Sequence, residues 1–338
     1  MHLVIWVTSA CNLACRYCYE GNAKINQMMD RTTADRILGY IEENAHEKEE
    51  ISVVFHGGEP LLNFELIKYF VRKISEKYEK TQFKLTTNGT VMNWEIAQFL
   101  LDNFQNGVSL SVDGNESTHD SNRVYIDGKG SFKTVMENIS TYFTKEQYSK
   151  FTIRMTLTSE TINKLFDNCT YFVNMGFSTI ITALNQYDKA WNAQKFEKLQ
   201  GQVYDIYQEA IKSGYEEKGI YLSVLDWRNR VKGECKISKE NLKIYVNGDV
   251  YPCIASVGDE SLILGNIHVE PFANIDLIER ICRINKMENP ECGNCKHKPY
   301  CVNSRCKLVN RAYNGDFLKP SGVECAYQNM IVNLQNLI

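Results

Sequence analysis

Three cysteines within eight residues, Cys11-Asn12-Leu13-Ala14-Cys15-Arg16-Tyr17-Cys18, follow directly on the apolar run Leu3–Val7. This C-x3-C-x2-C spacing lets one loop present three thiolates to an iron–sulfur cubane and leaves the fourth iron without a protein ligand. An open metal position is where a small molecule binds and reacts, the property that separates catalytic from structural zinc sites. Structural zinc is the alternative for such a loop, but it wants a fourth Cys or His close by, and none follows before His46.

A second group of polar residues falls just after further strand-like runs. His56-Gly57-Gly58-Glu59-Pro60 follows Ile51–Phe55. Its two glycines permit close backbone approach to a ligand, and Glu59 supplies a carboxylate able to accept from an ammonium; a tight turn is the alternative. Thr87-Asn88-Gly89 and Ser111-Val112-Asp113-Gly114 put polar side chains and a glycine at corresponding places, where turn chemistry explains them almost as well. Arg154, inside Phe151–Leu157, could hold a carboxylate bidentately or form a cross-strand salt bridge.

The third group is C-terminal. Of the twelve cysteines, eight lie beyond Glu234: Cys235, Cys253, Cys282, Cys292, Cys295, Cys301, Cys306 and Cys325. Asn247-Gly248 reads as a two-residue hairpin turn between Leu242–Val246 and Asp249–Cys253. That register sets Cys253 opposite Leu242, on the side from which Cys235 enters, so that both can converge on one metal. A pair of zinc knuckles is the alternative. Cys169 shares a helical stripe with Ile162, Leu165, Phe166, Phe172 and Val173 and reads as core. Cys282, four residues after Ile278, also reads as core, with a thiol that donates hydrogen to a substrate radical as the alternative.

These residues must be positioned by a scaffold. Strands are predicted at Leu3–Val7, Ile51–Phe55, Gln82–Thr86, Gly107–Val112, Phe151–Leu157 and Thr179–Leu184. Helices are predicted near Thr33–Ala45, Phe64–Tyr78, Trp94–Asn103, Phe132–Phe143 and Ile162–Met175, the first with Thr32 and Asp35 as a capping box. Such alternation implies parallel strands joined by helical crossovers, and six units are too few to close an eight-stranded barrel. An open, partial barrel over residues 1–187 is expected, with chemistry at the C-terminal ends of its strands. A polar helix, Ala193–Lys212, lies in a bridge over 188–234, and the cysteine-rich segment 235–338 has too little apolar sequence to fold without metal.

Composition narrows the functions. Lys+Arg 38 against Asp+Glu 41 gives a net charge of −3, so no global basic field is available to hold nucleic acid. No apolar run is long enough for a membrane span. The first residues lack the basic region and cleavage site of a signal peptide. Clustered cysteines without such a signal point to metal ligation in a reducing cytoplasm.

On the cysteine loop with Tyr17 before its last Cys, and on Gly57-Gly58-Glu59 after a strand, the chain resembles radical S-adenosylmethionine (SAM) enzymes. With Gly248-x4-Cys253 and Cys292-x2-Cys295-x5-Cys301-x4-Cys306 followed by Cys325, it resembles those carrying a C-terminal SPASM domain. The last quartet gap is four residues where that pattern has three. The resemblance spans about Leu3 to Cys325 and implies an α/β fold, a partial (β/α)6 TIM-like barrel with a small cysteine-rich SPASM domain. It implies a [4Fe-4S] cluster on Cys11, Cys15 and Cys18 that passes one electron into SAM, giving a 5′-deoxyadenosyl radical that takes a hydrogen atom from an unactivated carbon. It also implies that Gly57, Gly58 and Glu59 hold the SAM amino group, Ser111 and Asp113 lie near its ribose or carboxylate, Arg154 pairs with the carboxylate, and Tyr17 packs near the adenine. Two auxiliary iron–sulfur clusters would be held by Cys235, Cys253 and Cys306, one thiolate short, and by Cys292, Cys295, Cys301 and Cys325.

The resemblance further implies maturation of a ribosomally synthesised precursor peptide, by a thioether or C–C cross-link or by epimerising a Cα. The chain starts directly at its first strand, so leader recognition is expected from a separate leader-peptide-binding protein or from the barrel edge. Electrons are expected from a flavodoxin or ferredoxin-type reductant. Two alternatives are an anaerobic sulfatase maturase, which would want an Asp where Ile254 follows Cys253, and an iron–sulfur electron carrier, which would need neither an open iron nor Gly57-Gly58-Glu59.

Overall fold

The computed structural model describes residues 1–20, 26–46, 48–226, 237–298 and 301–335. Six strands follow the chain in parallel, β1 (His2–Thr8), β2 (Ile51–Gly57), β3 (Thr81–Thr87), β4 (Val108–Ser111), β5 (Phe151–Leu157) and β6 (Thr179–Leu184). Crossovers carry helices α1 (Arg31–Asn44), α2 (Phe64–Lys77), α3 (Trp94–Asn103), α4 (Glu116–Asp120), α5 (Phe132–Tyr142) and α6 (Leu165–Met175). The expected partial barrel is therefore present, and the sheet extends past both of its edges. β7 (Tyr221–Leu222) adds to β6 after α7 (Ala193–Lys212), inside the segment expected to be a helical bridge. β8 (Asn241–Ile244) pairs parallel with β1, and β9 (Asp249–Tyr251) and β10 (Gly265–Asn266) continue antiparallel, so that ten strands among the described residues form one open sheet.

Strand alternation sorts the side chains onto two faces. Leu3, Ile5, Val53, Phe55, Phe83, Leu85, Leu110, Ile153 and Met155 are buried with the apolar stripes of the helices in one large core. In α2 that stripe is Phe64, Ile67, Phe70, Val71 and Ile74. The opposite face carries Trp6, His56, Thr86, Ser109, Ser111 and Arg154 at neighbouring register positions, with Trp6 beside His56 and Ser111 beside Arg154. This face lines the barrel interior, and a small second core of Val4, Trp6 and Val246 covers part of it.

Two local expectations are corrected. The cap of α1 is Asp30, whose Oδ1 accepts from Thr33 N at 2.7 Å. Thr32 lies inside the first turn, and Asp35 instead takes Tyr69 Oη at 2.5 Å. The β8–β9 hairpin closes through three residues, because Gly248 N donates to Tyr245 O and Tyr245 N donates to Asp249 O. Gly248 takes a positive φ of 88°, the geometry of a three-residue loop. Lys243 then faces Tyr251, which sets Cys253 one position on from the predicted register, opposite Asn241.

The C-terminal segment is short elements, α8 (Ile275–Lys286), α9 (Val302–Arg305), α10 (Lys307–Asn314) and α11 (Gly322–Gln335). α11 packs on α7, and Ser321 Oγ donates to Gln186 Oε1 at 2.7 Å in the loop after β6, tying this segment to the barrel rim.

Candidate active site at the mouth of the barrel

The cysteine loop leaves the C-terminal end of β1 and is pinned from two sides. Ala14 N donates to Val124 O at 2.8 Å and Arg16 N to Asn122 O at 2.9 Å, so the β4–α5 connection runs antiparallel beside it. From β3, Asn88 Nδ2 donates to Asn12 Oδ1 at 2.9 Å and contacts Cys11 Sγ at 3.9 Å. Leu13 N also donates to Cys11 Sγ at 3.4 Å, and Cys18 N closes a turn on Cys15 O at 3.1 Å. N–H groups aimed at sulfur favour the thiolate, the form in which cysteine binds iron. The donor set, three half-buried thiols on one pinned loop, therefore fits a cluster. Among the described residues no three His, Cys, Asp or Glu side chains are grouped as around a single metal ion.

Gly57 and Gly58 lie against the backbone that leads into the cysteine loop. A Cβ on Gly57 would stand 2.0 Å from Thr8 O, and one on Gly58 would stand 2.3 Å from Ala10 O. The backbone they admit is that of the cysteine loop itself, held by Glu59 N donating to Ala10 O at 2.9 Å. Glu59 is fully buried, and its carboxylate accepts from Leu61 N at 3.1 Å, Thr87 Oγ1 at 2.8 Å and Asn88 N at 2.6 Å. Burial pushes its pKa up to about 7 against these donors. Glu59 ties the ends of β2 and β3 together.

Asp113 has a similar structural use. It accepts from Tyr17 Oη and from Thr156 N at 2.9 Å, and it lies 3.2 Å from Arg123 Nε in a buried ion pair. Arg123 also lies 5.2 Å from the Tyr17 ring centroid. Burial opposes its charge, but Asp113, then Tyr17 and Cys15, outweigh it and hold the guanidinium protonated. Tyr17 and Asp113 therefore meet beneath the cysteine loop, and their side chains are already engaged with each other. Sequence reasoning missed Arg123, which sits in a polar stretch without periodicity.

His119 completes this hub. It accepts from Asp113 N at 3.4 Å, its Nε2 lies 2.9 Å from Ser131 Oγ, and burial, then Arg123, pushes its pKa down to about 3. A histidine depressed in the folded state binds fewer protons there than when unfolded. Its stabilisation is present above pH 6.5 and is lost as pH falls toward about 3. Chemical denaturation at pH 6.5 and pH 4 should show a loss of about 3 kcal/mol from this group, and His119→Asn should flatten that slope.

The interior wall beside the loop gathers Trp6, Tyr19 and Glu20, which the sequence did not single out, around His56. Trp6 Nε1 donates to Glu20 Oε1 at 3.0 Å, the Trp6 and His56 rings lie 4.5 Å apart, and Tyr19 Oη is 3.4 Å from His56 Nε2. Burial, then the charge of Arg154, pushes the His56 pKa down to about 4. Arg154 is exposed in the interior next to Ser111.

Cys235 lies outside the described residues. Cys292, Cys295 and Cys301 ride on successive turns, in which Cys295 N donates to Cys292 O and Cys301 N to His297 O. Ala255 N donates to Cys253 Sγ at 3.4 Å, again favouring a thiolate. Cys253 and Cys306 both act on Tyr313, whose pKa is pushed up to about 12 by burial first and then by Tyr187, Glu324 and these two thiols. Cys325 stands in the first turn of α11, with its N–H on Ser321 O at 3.0 Å. Cys169 is core, as expected, with burial pushing its pKa up to about 12. Cys282 is exposed on α8, a correction to its core reading, because the buried stripe of that helix runs through Leu277 and Ile281.

Comparison with known proteins agrees with this geometry. Residues 5–169 match the family profile of the Radical SAM superfamily, and residues 235–297 match SPASM, an iron–sulfur cluster-binding domain. The chain is 30% identical to an uncharacterized protein of Methanocaldococcus jannaschii, over 79% of this chain and 88% of that one. It is 27% identical to the cysteine-type anaerobic sulfatase-maturating enzyme of Clostridium novyi, over 87% and 84%. Its fold matches native anSMEcpe with bound AdoMet at a TM-score of 0.77, 22% identity and full coverage of both chains. It matches Streptococcus suis SuiB bound to precursor peptide SuiA at 0.61 and 19% identity, over 96% of this chain and 75% of that one. No helix among the described residues is long and apolar enough to cross a membrane.

Proposed function

Because the chain belongs to the radical SAM superfamily, with a SPASM segment, and is an enzyme using SAM and iron–sulfur clusters, we propose that it modifies a ribosomally synthesised peptide. The reaction we assign is formation of a thioether or C–C cross-link. When bound, the cofactors supply one-electron cleavage of SAM to a 5′-deoxyadenosyl radical, which takes hydrogen from an unactivated carbon. The carrying observation is the place of the cysteine loop, pinned over the end of β1 and opening onto the interior face that carries His56, Ser111 and Arg154.

In this reading Cys11, Cys15 and Cys18 hold the SAM cluster. Arg154 and Ser111 take the SAM carboxylate, and the backbone of Gly57, Gly58 and Glu59 takes its amino group. Tyr17 supports the loop from below through Asp113. Cys235, Cys253 and Cys306 hold one auxiliary cluster, and Cys292, Cys295, Cys301 and Cys325 the other. The likeness of fold to SuiB, described with a precursor peptide, supports a peptide as substrate. A flavodoxin or ferredoxin-type protein supplies the electron.

The test is anaerobic co-expression with each short peptide encoded beside this gene, followed by mass spectrometry of the peptide. Loss of two hydrogens with equimolar 5′-deoxyadenosine is expected. An aldehyde in place of a cysteine or serine side chain would replace cross-linking by sulfatase-type maturation, and unchanged mass with an inverted residue would replace it by epimerisation. No 5′-deoxyadenosine at all would overturn the reading.

A further inference from the structure

Lys307 is a long cationic side chain with 1% of its surface exposed, in the position directly after Cys306. Its Nζ donates to Asn289 Oδ1 and, at 2.8 Å, to Ser304 O. Asn289 is itself buried, and its carbonyl accepts from Cys292 N at 2.9 Å. The ammonium is thus clamped by two neutral oxygens between the chain segments that present Cys292 and Cys306. Among the described residues no carboxylate stands at ion-pair distance from it, and the nearby Glu288 pairs with Lys298 instead. Burying an ammonium against neutral partners alone is expensive, and such a group persists where a counter-charge stands close by. Lys307 follows Cys306 directly, and Asn289 links its ammonium to the main chain of Cys292, so the two cysteines stand at either end of this clamp.

We propose that Lys307 is the fixed counter-charge of the C-terminal iron–sulfur centres, set between the cysteine that opens one ligand group and the cysteine that completes the other, and that it makes reduction of those centres easier. The inference rests on the assignment of clusters to these cysteines. Each reduction adds one electron, supplied in the test by dithionite, to a centre that is already anionic with its thiolates. A buried cation nearby favours the reduced state, because charge and burial around a cluster set its potential.

The experiment is an anaerobic redox titration of the reconstituted full-length protein, followed by electron paramagnetic resonance, with iron determined in parallel. Lys307→Met should lower the reduction equilibrium of at least one auxiliary centre about tenfold, a shift of about 59 mV for one electron. Lys307→Arg should stay close to the parent protein. Asn289→Asp keeps the lysine and sets a carboxylate on it, so it should shift the potential in the same direction as Lys307→Met. If the methionine variant loses iron, the aspartate variant carries the test. Unchanged potentials in both with iron retained, or an equal shift in the arginine variant, would overturn the proposal. Absence of auxiliary iron in the parent protein would overturn it through the cluster assignment. Because the readout is a potential, failure of the peptide reaction leaves this result standing, and the reverse holds equally.

Discussion

Replacing Cys11, Cys15 and Cys18 together by alanine should abolish 5′-deoxyadenosine formation and remove about a third of the bound iron, because three cubanes carry on the order of twelve irons. The loss of cleavage is complete rather than graded, since the loop supplies every protein ligand of the SAM cluster in this reading. The remaining iron should stay, because Cys253, Cys292, Cys301 and Cys306 are presented by turns and helices of the C-terminal segment. Iron analysis and a chromatographic assay for 5′-deoxyadenosine read the two effects separately. Retained cleavage would contradict the assignment of the loop, and loss of all iron would contradict the separation of the centres.

Gly58→Ala is expected to have the second largest effect, although it removes no ligand. The added Cβ would stand 2.3 Å from Ala10 O, 2.6 Å from Ala10 C and 2.8 Å from Ser9 O. These are main-chain atoms of the segment that leads into Cys11, so relief comes only by moving the loop. A displacement of about 1 Å at reacting groups costs about 100-fold in rate. The rate of SAM cleavage should fall by about that factor while far-ultraviolet circular dichroism stays unchanged. Gly39→Ala is the matched control, because a Cβ there meets nothing within 4 Å, and its rate should equal that of the parent. Equal rates in both variants would show that the loop does not need its close seat on Gly58.

The barrel was legible because its strands and helices obey simple periods. Phe151–Leu157, Thr179–Leu184 and Trp94–Asn103 occupy the residues that alternation and helical spacing predict. What periodicity could not show is pairing between distant segments. The parallel union of β8 with β1 joins residues about 240 apart, and no local pattern records it. The hairpin register slipped by one for a related reason, since Asn-Gly serves both two-residue and three-residue loops and the choice lies in the backbone.

The candidate site was legible as residue types and less so as roles. Cysteines at ligand spacing announce themselves, because few other uses need that pattern. Glu59 and Asp113 read in sequence as polar residues at strand ends, and the structure adds that both are buried and accept from donors of the protein itself. Whether a carboxylate at a strand end points outward or ties two strands together depends on the donors it finds. Arg123 and Lys307 carried no signal, since a buried cation looks in sequence like any surface charge. Their burial is visible only once Asp113 and Asn289 come into place around them.

The central claim is that the amino-terminal thiolates leave an iron open to SAM. Electron paramagnetic resonance of the reduced, reconstituted protein, recorded before and after adding SAM, tests it most directly. One cubane signal should change on addition, the others should stay, and the changing signal should be absent from the Cys11, Cys15 and Cys18 variant. Spectra indifferent to SAM, with the parent and the variant alike, would contradict the account.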